Sequence, residues 1–146
     1  MKQRIPNTFD HIGIFTYQYK KLVDFYIRKL GFEKEKEELL SKSIMKPVFG
    51  ITSDCKFARV TLGDIKIEIF SPIKATSRKK HNYTIGYNHW ALCIADREKF
   101  FQKLKRRKVE ILEVKRNNHS VYFIHDPDGN KIEIKDCSWI TPPFRY

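Results

Sequence analysis

The sequence predicts an α+β fold made of two successive βαβββ modules, and three observations carry that prediction. The run Lys66, Ile67, Glu68, Ile69 recurs letter for letter as Lys131, Ile132, Glu133, Ile134. Each copy lies downstream of a strand-like segment bearing a histidine, His11 in residues 8–15 and His89 in residues 87–94. Each half also places one stretch with apolar residues at helical spacing after its histidine segment.

In the first module, residues 8–15 are short, apolar and aromatic, and alternate about His11, which is a strand pattern. Residues 17–30 follow with Leu22, Val23, Phe25, Tyr26, Ile27 and Leu30 at three- and four-residue spacings, and Gly31 stands where a left-handed C-terminal cap belongs. A charged stretch then hides the second strand somewhere between Glu33 and Val48. Residues 57–62 and 65–70 read as a hairpin closed by Gly63 and Asp64, and Pro72 ends its second strand. A polar linker, residues 73–86, contains Arg78, Lys79 and Lys80.

The second module repeats the order. A strand over residues 87–94 leads to a helix with Asp96 as N-cap, running through Phe100, Phe101 and Leu104 to about Lys108. Strands are predicted over residues 109–115, 120–125 and 131–136, the last two joined by the turn Asp126, Pro127, Asp128, Gly129, Asn130. Module one thus spans about 8–72 and module two about 87–136, with a tail at 137–146, and the 146 residues suit a single domain.

Composition narrows the function classes. No apolar run approaches the ~20 residues of a membrane span, and the polar N-terminus lacks a signal-peptide core. A cytoplasmic protein is expected. Cys55, Cys93 and Cys137 are odd in number and widely spaced, so no disulfide framework or zinc ribbon is predicted. Lys and Arg outnumber Asp and Glu by 29 to 17, a net charge of +12 that attracts anions. Lys103, Lys105, Arg106, Arg107 and Lys108 fall at a helix C-terminus, where the dipole favours cations. No zinc finger, RNP-like motif or helix-turn-helix accompanies them, so nucleic-acid binding is the lesser reading.

Side chains alternate along strands, so His11 faces opposite to Ile12 and Ile14, and Glu68 opposite to Ile67 and Ile69. The same parity sets His89 against Trp90 and Leu92, and Glu133 against Ile132 and Ile134. The apolar faces need covering, and each module supplies one helix to do so. The opposite faces then offer two imidazoles and two carboxylates, an N2O2 set suited to Zn, Ni, Co, Mn or Fe(II) with positions left for substrate. Lys66, Lys131 and Arg59 share the glutamates' side of their strands and would draw an anionic substrate. Phe15, Phe57 and Tyr122 are candidates for the wall of a pocket or for the core, while His81, His119 and His125 follow no pattern and are expected at the surface.

The stretch His11, Ile12, Gly13, Ile14, followed by Asp24, Phe25, Tyr26, by Leu30, Gly31, Phe32, by the Glu68 and His89 strands and by the turn Asp126–Gly129 before Glu133, resembles the vicinal oxygen chelate superfamily. The resemblance covers about residues 8–136. It implies a half-open curved barrel with the helices on its outer face, a divalent metal held by His11, Glu68, His89 and Glu133, and a homodimer. Within that superfamily a glutamate at position 68 points to glyoxalase-type lyase or isomerase chemistry on a small-molecule substrate, through a metal-stabilised enolate with Glu133 or Glu68 as base. Bacterial glutathione-dependent forms carry an arginine and an asparagine where this sequence has Phe15 and Pro72, which argues against glutathione. The alternatives are an epimerase or dioxygenase of the same superfamily, or a metal-free protein that binds a drug or small metabolite.

Overall fold

The computed structural model describes residues 10–74, 89–115 and 118–136. The beginnings of the two histidine strands at Thr8, Phe9, Tyr87 and Asn88, the basic linker with His81, and the tail with Cys137 lie outside the described residues. The chain divides into two compact units, Met1–Thr76 and Ser77–Tyr146.

The first unit holds strands β1 (Ile12–Phe15), β2 (Glu33–Leu40), β3 (Cys55–Leu62) and β4 (Ile65–Pro72), with helices α1 (Tyr19–Asp24) and α2 (Lys42–Phe49). Its sheet has the order β1-β4-β3-β2, with β1 parallel to β4 and the other pairs antiparallel. The predicted first helix is present but changes pitch: α1 continues as a π-helical turn, Phe25–Leu30, which ends on Gly31 at φ 88°. Only glycine adopts that left-handed geometry without strain, and it lets the Gly31 and Phe32 amides close onto the carbonyls of Ile27 and Tyr26.

α1 packs against β3 and β4, and the strand residues of one parity, Ala58, Val60, Ile67 and Ile69, are completely buried. Leu22, Tyr26 and Leu30 of the helical segment are buried as well, as the spacing predicts. The hidden second strand is β2, which alternates charges rather than apolar residues and is exposed along nearly its whole length. It forms a sheet edge, where charge discourages pairing with another chain.

α2 was not anticipated. It inserts Met45 into a cluster with Cys55, Phe57 and Phe70, and Leu40 and Ile51 pack against it. Phe57 and Phe70 are cross-strand partners, and Phe70 lies two residues beyond Glu68 on β4. α2 therefore covers one end of the Glu68 face of the sheet, the face opposite to Ile67 and Ile69. The Asp54 carboxylate accepts a hydrogen bond of 2.7 Å from the Lys42 amide at its N-terminus.

The second unit holds β5 (His89–Ile94), α3 (Arg97–Arg106), β6 (Leu112–Lys115), β7 (Ser120–His125) and β8 (Lys131–Asp136). Its order, β5-β8-β7-β6 with β5 parallel to β8, repeats that of the first sheet. Asp96 caps α3 by accepting from the Lys99 amide, and Lys103, Lys105 and Arg106 occupy its last turn. Leu92, Leu104, Ile124, Ile132 and Ile134 are buried. The structure thus has the predicted α+β class, with two open four-stranded mixed sheets.

One expectation from the cysteines is corrected. Cys55 is a free, buried thiol, but Cys93 is disulfide-bonded. No described helix is long and apolar enough to cross a membrane.

Candidate metal centre

Each unit brings its own histidine and glutamate together. In the first, His11 Nε2 lies 3.3 Å from Glu68 Oε2; in the second, His89 Nε2 lies 3.4 Å from Glu133 Oε2. Parallel pairing does this in the same way twice. The register sets Gly13 beside Glu68 and Ala91 beside Glu133, two residues along from each histidine. The glutamate side chains are 12% and 17% exposed and the histidines 42% and 37%, so each carboxylate is largely enclosed while its imidazole reaches solvent.

The first pair sits in a chain of charges. The Asp10 carboxylate faces His11 Nδ1 at 2.8 Å and accepts a hydrogen bond from Lys66 Nζ at 2.9 Å. These contacts, the one to His11 first, hold the Asp10 carboxyl down to about 2. A carboxylate that accepts from Nδ1 makes Nε2, the nitrogen on the Glu68 side, the one able to bind a cation, a common way of orienting such an imidazole. On the other side, Arg59 donates to Glu68 Oε1 from Nε (3.1 Å) and from one terminal nitrogen (2.7 Å). The Glu68 carboxylate beside it raises the Arg59 pKa further.

Arg59 also lies 3.6 Å from Glu35. The β2–β3 register slips between Lys34 and Lys36, which leaves Glu35 as the extra residue of a bulge. Of the three cations expected to await an anionic substrate, Arg59 and Lys66 are thus engaged by carboxylates of the chain itself. Lys131 is the cross-strand neighbour of His89.

Among the described residues Glu133 makes no polar side-chain contact besides the one to His89. Phe123 is the cross-strand partner of Glu133 and packs edge-on against the His89 ring, with centroids 5.6 Å apart. Tyr122, expected as a wall or as core, has the opposite parity: its ring packs tilted against Phe101 of α3, under the Arg97 guanidinium. Phe123 holds the place at the site. His119 and His125 are exposed, as expected.

The donor chemistry fits a divalent ion. Two ligands with bonds of about 2.1 Å stand about 3.0 Å apart at right angles and about 3.4 Å apart at the tetrahedral angle, so separations of 3.3 and 3.4 Å match one edge of such a coordination shell. Among the described residues, no group of three or more histidine, cysteine, aspartate or glutamate side chains is gathered closely enough to hold a metal. The unit of construction is the His–Glu pair.

Comparisons with known proteins agree with this architecture. The family model described as the glyoxalase/bleomycin resistance protein/dioxygenase superfamily matches residues 8–134. A glyoxalase family protein from Enterococcus faecalis superposes with a TM-score of 0.68 at 22% identity, over 87% of this chain and 95% of that one. The fosfomycin resistance protein FosX from Listeria monocytogenes gives 0.60 at 18% identity, over 90% and 94%. An antibiotic binding protein from a Streptomyces species gives 0.60 at 15% identity, over 92% and 98%. No curated protein sequence is a significant match.

Proposed function

We propose, for a chain that belongs to the glyoxalase/bleomycin resistance protein/dioxygenase superfamily, that it is a divalent-metal enzyme of the glyoxalase type moving a proton on a small oxygen-bearing substrate. His11, Glu68, His89 and Glu133 are the metal ligands of this reading, one His–Glu pair from each half of the sequence. The observation that carries this reading is the duplicated His–Glu pair at 3.3 and 3.4 Å. When bound, a divalent ion supplies Lewis acidity that stabilises an enolate or enediolate.

The two glutamates then take different parts. Glu68 is held at Oε1 by two N–H groups of Arg59, which fixes its carboxylate and commits Oε2 to the His11 side. Among the described residues nothing clamps Glu133 in this way, and the less constrained carboxylate is the better one to accept a proton and return it. Asp10 orients His11, and Phe123 restricts the His89 ring.

A second reading has an observation in its favour. At these distances each His–Glu pair also makes a self-sufficient ion pair once the imidazole is protonated, and a metal-free small-molecule binder with this fold needs nothing more. Elemental analysis of protein purified without added ions separates the two. Stoichiometric metal that is lost in His11→Ala and in Glu133→Ala supports the enzyme; wild-type protein that takes up no ion from a divalent-metal titration refutes it.

A further inference from the structure

We propose that the end of the Glu68 face covered by α2 is a receiving site for an aromatic ring, so that the substrate is an oxygen-bearing compound carrying a one- or two-ring aryl group. This rests on the preceding reading and names the substrate class of the same site.

Three rings form a triangle there. Phe15 and Phe49 meet edge to face at 5.2 Å between centroids, Phe49 and Phe70 lie 5.3 Å apart, and Phe15 and Phe70 lie 5.4 Å apart. Phe57 stands 5.1 Å behind Phe70 and is buried with it. The two rings in front are not buried: Phe15 is 46% exposed and Phe49 45%. Half-exposed rings in a fixed edge-to-face arrangement offer a further ring the geometry that aromatic groups prefer, at no cost in reorganisation.

Beside this triad opens a cleft of about 390 Å³, lined by Phe15, Tyr17, Ile51 and Pro72, with Thr52 and Ser53 at its polar side. That volume falls in the range of small-molecule sites, which are mostly apolar with a few polar groups that fix orientation. Alternation along the strands ties the cleft to the donor pair. Phe15 lies on the His11 side of β1 and Phe70 and Pro72 on the Glu68 side of β4, with Phe15 and Phe70 in register. At about 3.3 Å per residue, Glu68 and Phe70 are about 7 Å apart along the strand, and His11 and Phe15 about 13 Å. A ligand whose oxygens meet His11 and Glu68 therefore reaches the triad with its next group. α2 supplies the exposed Phe49 ring at its last residue, and its Gly50 cap leads the chain to Ile51 in the cleft.

A matched pair of probes tests this: pyruvate and phenylpyruvate share the oxygen-bearing end and differ by one phenyl ring. Binding is measured calorimetrically to the wild type, Phe15→Ala and Phe49→Ala, with metal content determined on the same samples and the comparison read with and without bound ion. Phenylpyruvate is expected to bind the wild type at least about tenfold more tightly than pyruvate, and each substitution is expected to remove most of that ratio while leaving metal uptake unchanged. Equal affinities of the wild type for the two acids, or a ratio that survives both substitutions, overturns the proposal. So does a fall in self-association of Phe15→Ala on sedimentation without any phenyl preference, since the rings would then serve a second copy of the chain. Protein that takes no ion but keeps the phenyl preference overturns the metal reading alone.

Discussion

Replacing Arg59 with methionine tests the clamp on Glu68, because methionine keeps the apolar stem of the side chain and deletes the guanidinium. Arg59 donates two hydrogen bonds to one carboxylate oxygen, at 2.7 and 3.1 Å, and the Glu68 side chain is only 12% exposed. Hydrogen bonds to charged groups contribute about 1.5–3 kcal/mol, and losing the partner of an enclosed carboxylate exposes its desolvation cost. Arg59 itself is 30% exposed, which screens the pair and moves the expectation to the lower part of that range. Arg59→Met is expected to destabilise the protein by about 2 kcal/mol. Glu68→Gln keeps the side-chain shape, and a double-mutant cycle with the two changes is expected to give a coupling of about 1–2 kcal/mol. Urea unfolding followed by far-ultraviolet circular dichroism reads all four proteins. A coupling below about 0.5 kcal/mol would refute the reasoning, because Glu68 would then be no better fixed than an ordinary surface carboxylate and the division of labour between the glutamates would fall with it.

The Tyr19 hydroxyl shares its one proton between Glu37 Oε1 at 2.8 Å and the Phe57 carbonyl at 3.1 Å, so Tyr19→Phe is expected to cost about 1 kcal/mol at neutral pH. Burial, then the Glu37 contacts, raise the Tyr19 pKa above its ordinary value; the contribution is whole below about pH 10 and is lost as the pH climbs from there towards the folded-state value, because the unfolded chain ionises first. Denaturation midpoints taken up to about pH 11 should therefore fall less steeply in Tyr19→Phe than in the wild type. At α3, Asp96→Ala removes the acceptor of the Lys99 amide and is expected to cost about 1 kcal/mol, most of it regained in Asp96→Ser, as thermal unfolding will show.

The duplicated architecture was legible because ligand-type and apolar residues alternate in four strands, and alternation survives any error in their exact ends. The same parity placed both histidines and both glutamates correctly on one side of their strands. Other features left no such trace. β2 opens with six consecutive charged residues, Glu33 to Glu38, on an exposed edge, so it lacks the apolar rhythm by which strands are read. α2 is two turns long with a single buried residue, Met45, and contains Pro47, which ordinarily argues against a helix. The role of Asp10 has no spacing signal, since it arises from contact with the very next residue. Choosing between Tyr122 and Phe123 required the β7–β8 register, and a shift of one residue exchanges the two faces.

Parallel pairing of β1 with β4 and of β5 with β8 has a consequence for how the protein matures. Hairpins such as β3–β4 close locally, but joining Ile12 to Ile67 or Trp90 to Ile132 must enclose almost an entire unit, which is the slow kind of closure. Each imidazole rides on the strand that this last closure docks. The His11–Glu68 and His89–Glu133 contacts therefore cannot form before the parallel pair of their own unit has closed.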